Sequence, residues 1–309
     1  MLGEVFYWVF NMSIASAVVG AVVLLVRSIK KIPRRVITFL WLIPFLRMCI
    51  PVGIGGRYGL MSLLSHFTMK TVVVYEPVDY AKVSFLNFLG AANSYSPITY
   101  KVNLLEDVFR IGALIWLLIA LALMIAFGTI YIITIQELKD AEHLKERIYL
   151  SEKIQSPAVY GILRPKIILP RSYTLSTDQS EDLSFVLLHE KVHIKSLDNL
   201  RRLIAFTIAS VHWFNPLAWV FLKCYLADLE HSCDEKVLSK CGENQKKSYA
   251  LSLLKYTRTK SVFASAFGGA NIRLRIDNIL SYKKLSVISL IGFVALVVVI
   301  AYVLLTNAL

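Results

Sequence analysis

The run His189-Glu190-Lys191-Val192-His193 sets two histidines at i and i+4, with a glutamate directly after the first. On a helix that spacing projects both imidazoles from one face. Two nitrogens at about 2.0–2.1 Å from one ion supply half of a tetrahedral zinc site. Glu190 stands to one side of the pair, where its carboxylate can act as general base on the attacking water. A third ligand must come from elsewhere in the chain. Asp228, Glu230, His231, Asp234 and Glu235 crowd one downstream stretch, and by spacing alone Glu230, Asp234 and His231 each qualify. Glu230 and Asp234 are themselves i, i+4, so one can complete the coordination while the other steadies a ligand imidazole. The plainer alternatives are a chance pattern on an amphipathic helix and a solvated acidic helix. Cys233 is a soft donor three residues from Glu230, yet two imidazoles and one carboxylate suffice for a catalytic site with an open position.

The elements that must position these residues follow from the flanking pattern. From Ser176 the pattern is helical, and Ser176, Thr177 or Asp178 can cap a helix running through Phe185, Leu188 and His189. Upstream, extended runs at Ile148–Leu150, Ala158–Ile162 and Lys166–Leu169 are separated by Pro157, Gly161 and Pro165. The charged stretch Glu137–Arg147 reads as a helix continuing from the apolar segment before it. Leu203–Leu222 is apolar enough to resemble a membrane span, but His212, Asn215 and Pro216 interrupt it. Asn215-Pro216 reads as an N-cap followed by proline at the first helical position, which predicts a hairpin of two helices. A crossing there would put the two halves of the site on opposite sides of a bilayer.

The composition is that of a membrane protein. Of 309 residues 56% are apolar and 18% charged, with a mean hydropathy of +0.60, above the soluble range. Val5–Val26, Ile111–Gln136 and Leu285–Leu309 contain no charged residue, and Val36–Gly56 contains only Arg47. Each is long enough to cross a hydrocarbon core of about 30 Å. The first is not a cleavable signal, because its positive residues follow the apolar run. Arg27, Lys30, Lys31, Arg34 and Arg35 mark the short loop after it as cytosolic. The expected organisation is therefore two transmembrane helices with a basic cytosolic loop in 1–56, an external loop in 57–110 and a third span in 111–136. A cytosolic domain follows in 137–284, then a fourth span with a short external tail in 285–309, so both termini lie outside. Residues 137–284 carry 23 Lys and Arg against 16 Asp and Glu, whereas 57–110 carry five against four. The net charge of +13 is explained by a basic domain against anionic lipid, and direct nucleic-acid contact is not expected. None of the four cysteines lies in the external loop, so a disulfide framework is unsupported. Ser28–Lys31 and Ser281–Lys284 fit a serine-enzyme S-x-x-K pattern but lack its companion motifs and read as charge flanking a span.

Four blocks make the resemblance specific: SPAVYGILRPKIILP at Ser156–Pro170, LLHEKVHIKSLDNL at Leu187–Leu200, WFNPLAW at Trp213–Trp219 and DLEHSCDEKVL at Asp228–Leu238. With the paired N-terminal spans and the final span, the chain resembles the BlaR/MecR family of antirepressor zinc metallopeptidases over nearly its whole length. The fold implied is a multi-pass α-helical membrane protein with a mainly α, gluzincin-like HExxH domain carrying a small β-sheet. The resemblance implies that His189, His193 and Glu230 bind Zn2+, that Glu190 is the catalytic base, and that Asp234 and Asp198 support the ligands. It also implies that substrate backbone pairs with an edge strand, for which Ala158–Ile162 is the candidate; an ordinary strand of a small sheet is the equal alternative. Family members cut themselves before the final helix. Thr257–Asn271 offers such a segment, with Ser261, Val262, Phe263 and Phe267 in the preferred window; a flexible linker that is never cut is the equal alternative. The large external penicillin-binding domain of the best-known members is expected to be missing, which leaves the stimulus open. Arg273, Arg275 and Tyr249 are candidates for stabilising the oxyanion. The partners expected are a cytosolic protein of the penicillinase-repressor type, the lipid bilayer and, in a homodimer, a second copy. The alternatives are a membrane-protein quality-control peptidase and a non-enzymatic receptor with a structural zinc.

Overall fold

The computed structural model describes residues 2–29, 32–50, 104–174, 180–256, 271–282 and 287–305. The external-loop segment 57–103, the helix caps at 176–178 and the cleavage window Ser261–Phe267 lie outside them.

The chain opens with α1 (Leu2–Ser28), followed by α2 (Arg34–Leu40) and α3 (Leu42–Cys49), two short helices meeting at Trp41. Next comes α4 (Leu104–Glu137), which begins earlier than its charge-free core suggests. It also stops at Glu137, and Glu142–Lys145 is strand β1 instead of more helix. A tight turn with Glu146 at φ 51° lets β1 pair antiparallel with β2 (Ile148–Ser151). Cross-strand backbone bonds there replace the helical ones that local charge pattern would favour.

The sheet is mixed, in the order β1-β2-β4-β3, with β3 at Ala158–Tyr160 and β4 at Lys166–Pro170. β2 and β4 run parallel, and β3 returns antiparallel to β4 with Val159 opposite Ile167. Gly161 makes that return possible: it sits at φ 92°, and a Cβ there would lie 2.9 Å from the Arg164 carbonyl oxygen. Ile148, Leu150, Ile167 and Leu169 turn one face of the sheet onto Leu183, Leu187 and Ile194 of helix α5 (Ser180–Lys195).

Helices α6 (Asp198–Val211) and α7 (Pro216–Cys241) form the hairpin expected from Asn215-Pro216. The Asn215 side chain accepts the Leu217 N–H at 2.9 Å and donates to Ser13 Oγ at 2.8 Å, so one residue both caps α7 and ties it to α1. α8 (Lys246–Tyr256), α9 (Ile272–Ser281) and α10 (Val287–Leu305) complete the described elements. Among the described residues, two apolar cores join the helices, beside the one under the sheet. Val19, Ile37, Trp41, Ala209 and Phe221 join α1, α2, α3, α6 and α7; Phe185, Val192, Val237, Tyr249 and Ile279 join α5, α7, α8 and α9. Among the described residues, α1 and Val108–Gln136 of α4 are long and apolar enough to cross a membrane, and Ile291–Tyr302 is a shorter apolar helix.

Candidate metal centre

The site lies between α5 and α7, with α8 and α9 closing it from behind. His189 and His193 are buried, and their rings meet edge to face with the two Nε2 atoms 3.0 Å apart. Each then faces one oxygen of Glu230 at 3.8 Å. Donors bound at about 2.05 Å around a tetrahedral ion stand roughly 3.3 Å from one another. The two imidazoles and the carboxylate thus face one another at 3.0 and 3.8 Å, close to that spacing, and two nitrogens with one carboxylate are a donor set that suits zinc.

The outward ring nitrogens are held just as closely. His193 Nδ1 lies 2.7 Å from Asp198 Oδ2, and His189 Nδ1 lies 2.9 Å from the Tyr249 hydroxyl. Tyr249 in turn donates to Asp234 Oδ1 at 2.6 Å. Such contacts fix the imidazole orientation and leave Nε2 pointing inward. The Asp198 contact depends on the α5–α6 turn, where Leu197 takes the left-handed conformation at φ 54° and reverses the chain within one residue.

Two arginines complete the electrostatics. Arg275 is buried and meets Asp234 with two bonds, Nε at 2.8 Å and Nη2 at 2.7 Å, while its Nη1 lies 3.4 Å from Glu230. Arg202 pairs with the other oxygen of Glu230. Burial alone would push the Glu230 carboxyl up; His193, His189, Arg202 and Arg275 outweigh it and hold the group well below the carboxylate range. Asp234 is likewise lowered against its burial, chiefly by Arg275. Both stay ionised.

Of the sequence candidates, then, His189, His193 and Glu230 come together, and Asp198 and Asp234 lie behind them. His231 does not: it turns to Asn278, 3.0 Å from Nδ1, on another side of α7. Glu190 is buried on α5 beside the pair. Arg275 and Tyr249 both bond Asp234, Arg275 Nη2 also lies 3.4 Å from His189 Nε2, and Arg273 is exposed at the start of α9. Cys233, discounted from spacing, belongs to the cluster, with donor atoms of His189, His193 and Cys233 all within 4.8 Å. Its sulfur lies 3.5 Å from His189 Nδ1 and 3.5 Å from the His189 carbonyl oxygen. Arg202 carried no sequence signal, since its partner is 28 residues away.

Asn199 is a second residue that spacing does not reveal. Its amide donates to the carbonyls of Val159 at 3.1 Å and Gly161 at 2.9 Å. The Ile167 N–H is spent on Arg147 O, toward β2, so Val159 opposite it turns its own polar groups to the free edge of the sheet. Asn199 thus occupies the outer edge of β3, close to His193.

A histidine pair on one helix, a carboxylate on a second and ring-holding partners behind define a site of the metallopeptidase class. The chain belongs to the BlaR1 peptidase M56 family, whose model matches residues 7–279. It is 34% identical over 151 residues to the regulatory protein BlaR1 of Bacillus licheniformis, covering 47% of this chain and 25% of that protein. It is 28% identical over 145 residues to the methicillin resistance mecR1 protein of Staphylococcus aureus strain Mu50, covering 45% and 25%. A BlaR1 regulatory protein of Staphylococcus aureus matches at 27% over 162 residues, 48% of this chain and 28% of the relative. The matched stretch is thus about a quarter of each curated relative's length.

Proposed function

We propose that the chain is a membrane-embedded zinc metalloendopeptidase that cleaves a cytosolic protein in resistance signalling. The observation that carries this is the convergence of His189 Nε2, His193 Nε2 and the Glu230 carboxylate. In this reading these three hold zinc and Glu190 is the general base. Cys233 is left out because its sulfur lies against Nδ1 of His189, whereas Glu230 faces the Nε2 atoms of both histidines, which would hold the ion. When bound, the metal polarises the scissile carbonyl and eases deprotonation of the attacking water.

The chain's own residues do the remainder. Glu190 takes the water's proton and returns it to the leaving amine. Asp198 keeps His193 turned inward, and Tyr249 with Asp234 does the same for His189. Arg202 and Arg275 keep Glu230 ionised. The outer edge of β3, where the Asn199 amide gives way, aligns the substrate strand by main-chain hydrogen bonds. From the relatives named for BlaR1 and methicillin resistance we infer a DNA-binding repressor of the penicillinase-repressor type as substrate, with self-cleavage at Ser261–Phe267 as a second cut.

Purified protein is expected to hold about one zinc per chain, as a three-ligand catalytic site does. Glu190→Gln should keep the metal and lose about 10²–10⁴-fold in cleavage. Full zinc retention in His189→Ala/His193→Ala would sink the assignment, and loss of zinc in Cys233→Ser would move the ion to the sulfur side.

The topology proposed is four spans with both termini outside and the metal centre in the cytosol. Its support is the exposed apolar surface of α4 and α10, on which Leu118, Ile125, Ile291 and Val298 are each more than 60% exposed, as lipid-facing side chains should be. An impermeant thiol reagent applied to intact cells should fail to label a cysteine placed at Asn244. Labelling there would put the domain outside.

A further inference from the structure

Helix α7 carries two pairs of carboxylates on opposite sides. At about 100° per residue, Glu230 and Asp234 share the face turned to α5, whereas Asp228 and Glu235 share the face turned to α1 and α2. That second face is the most closely tied junction between the N-terminal helices and the metal domain.

The junction is built in register. Gly20 of α1 lies against Phe221 of α7 so closely that a Cβ there would fall 2.1 Å from the Phe221 ring. Both helices then advance seven residues in the same direction, two turns or about 10 Å, to the next contact. There Arg27 Nε donates to Asp228 Oδ2 at 2.7 Å. The Trp41 indole, fully buried where α2 meets α3, donates to the same oxygen at 2.9 Å and packs on Phe221 with centroids 5.6 Å apart. Arg34 Nη1 stands 3.6 Å from the other oxygen. Two turns further on, Glu235 accepts the backbone N–H groups of Arg34 at 2.8 Å and Arg35 at 3.2 Å. This supplies the cap that Pro33 does not give α2. Asp228 has no solvent exposure, so among the described residues its charge is compensated by Arg27, Trp41 and Arg34.

We propose that Asp228 is a positioning residue: clamped by Arg27 and Trp41, it fixes α7, and hence Glu230, relative to the two N-terminal helices. The inference rests on the proposed zinc ligation by Glu230. A helix transmits displacement along its length because its backbone bonds are continuous, and Glu230 lies only two residues past Asp228. Any movement of α1 against α2 must therefore either break the clamp or carry Glu230 with it. The clamp makes metal affinity depend on how the membrane helices are arranged.

The test is zinc affinity of the full chain in lipid nanodiscs, by competition with a chromophoric chelator, for Arg27→Gln, Arg27→Lys, Asp228→Asn and Arg27→Gln/Asp228→Asn. Arg27→Gln is expected to weaken zinc about tenfold, the lower end of what supporting groups around a metal contribute. Arg27→Lys, which keeps the charge, should restore most of it. The double variant should be no weaker than Asp228→Asn alone, because the two residues act through one contact. Arg27 is partly exposed, so its variants remain informative if Asp228→Asn does not fold. Unchanged zinc affinity in Arg27→Gln, with wild type holding one zinc, overturns the clamp and leaves the site standing. Additive losses, or no rescue by lysine, also overturn it. A wild-type chain that holds no zinc overturns the site itself.

Discussion

The two faces of α7 spend similar charge in different ways. On the Asp228–Glu235 face, carboxylates meet arginines, an indole and backbone N–H groups from α1 and α2, and burial pushes the Glu235 carboxyl up from its ordinary value. On the Glu230–Asp234 face, arginines and histidines hold both carboxyls below it, and Glu230 still points its two oxygens at the facing imidazole nitrogens. The first face is closed on itself by protein groups. The second gathers donors around a common point and fixes each from behind. A structural ion-pair cluster and a site prepared for a ligand are thus told apart by convergence of donors, since burial and charge are shared by both.

Paired substitutions can break that contrast. Asp234→Asn removes the main partner of a buried guanidinium, and leaving a buried charge uncompensated costs about 3–5 kcal/mol. Glu235→Gln keeps an oxygen acceptor for the α2 backbone, so its cost should be that of a weakened cap, about 1 kcal/mol. Chemical denaturation of the two variants side by side checks the order. Equal losses would mean that the faces are energetically alike and that only their geometry differs.

The smallest effect sharpens the contrast at the sheet. Asn199→Ala frees the outward carbonyls of Val159 and Gly161, which a substrate strand must otherwise take from the amide. Zinc content should stay at the wild-type level while KM for a cleaved peptide falls about two- to tenfold, the worth of one net hydrogen bond. A raised KM would show that Asn199 holds β3 in place for the substrate.

How far the sequence foretells these features depends on the range of the interaction. Histidines at 189 and 193 predict two imidazoles on one helix face, and the rings meet there because helical periodicity is local. Asn215-Pro216 predicts the hairpin break for the same reason, and Pro157, Gly161 and Pro165 delimit the strands. Glu142–Lys145 misleads because its charged pattern suits a helix, whereas its structure is decided by a partner strand across the Glu146 turn. The basic loop reads as a topology signal, and nothing local shows that Arg27 will meet Asp228, 201 residues on. Arg202 and Asn199 are hidden likewise, and Arg275 is singled out by sequence without its partner Asp234, since each acts on a group brought near only by folding. Cys233 is adjacent to Glu230 in spacing, but which ring nitrogen its sulfur addresses is a matter of tertiary placement.

The Arg27–Asp228 contact also has a history within each synthesis of the chain. With translation at about 5–20 residues per second, Asp228 emerges some 10–40 s after Arg27. During that interval the arginines of the first loop have no acidic partner from α7 and stand as bare positive charge, the form in which such loops are retained on the cytosolic side. Under the proposed topology, orientation is thus settled before the neutralising carboxylates exist. The same side chains first serve as an address and are afterwards absorbed into the fold.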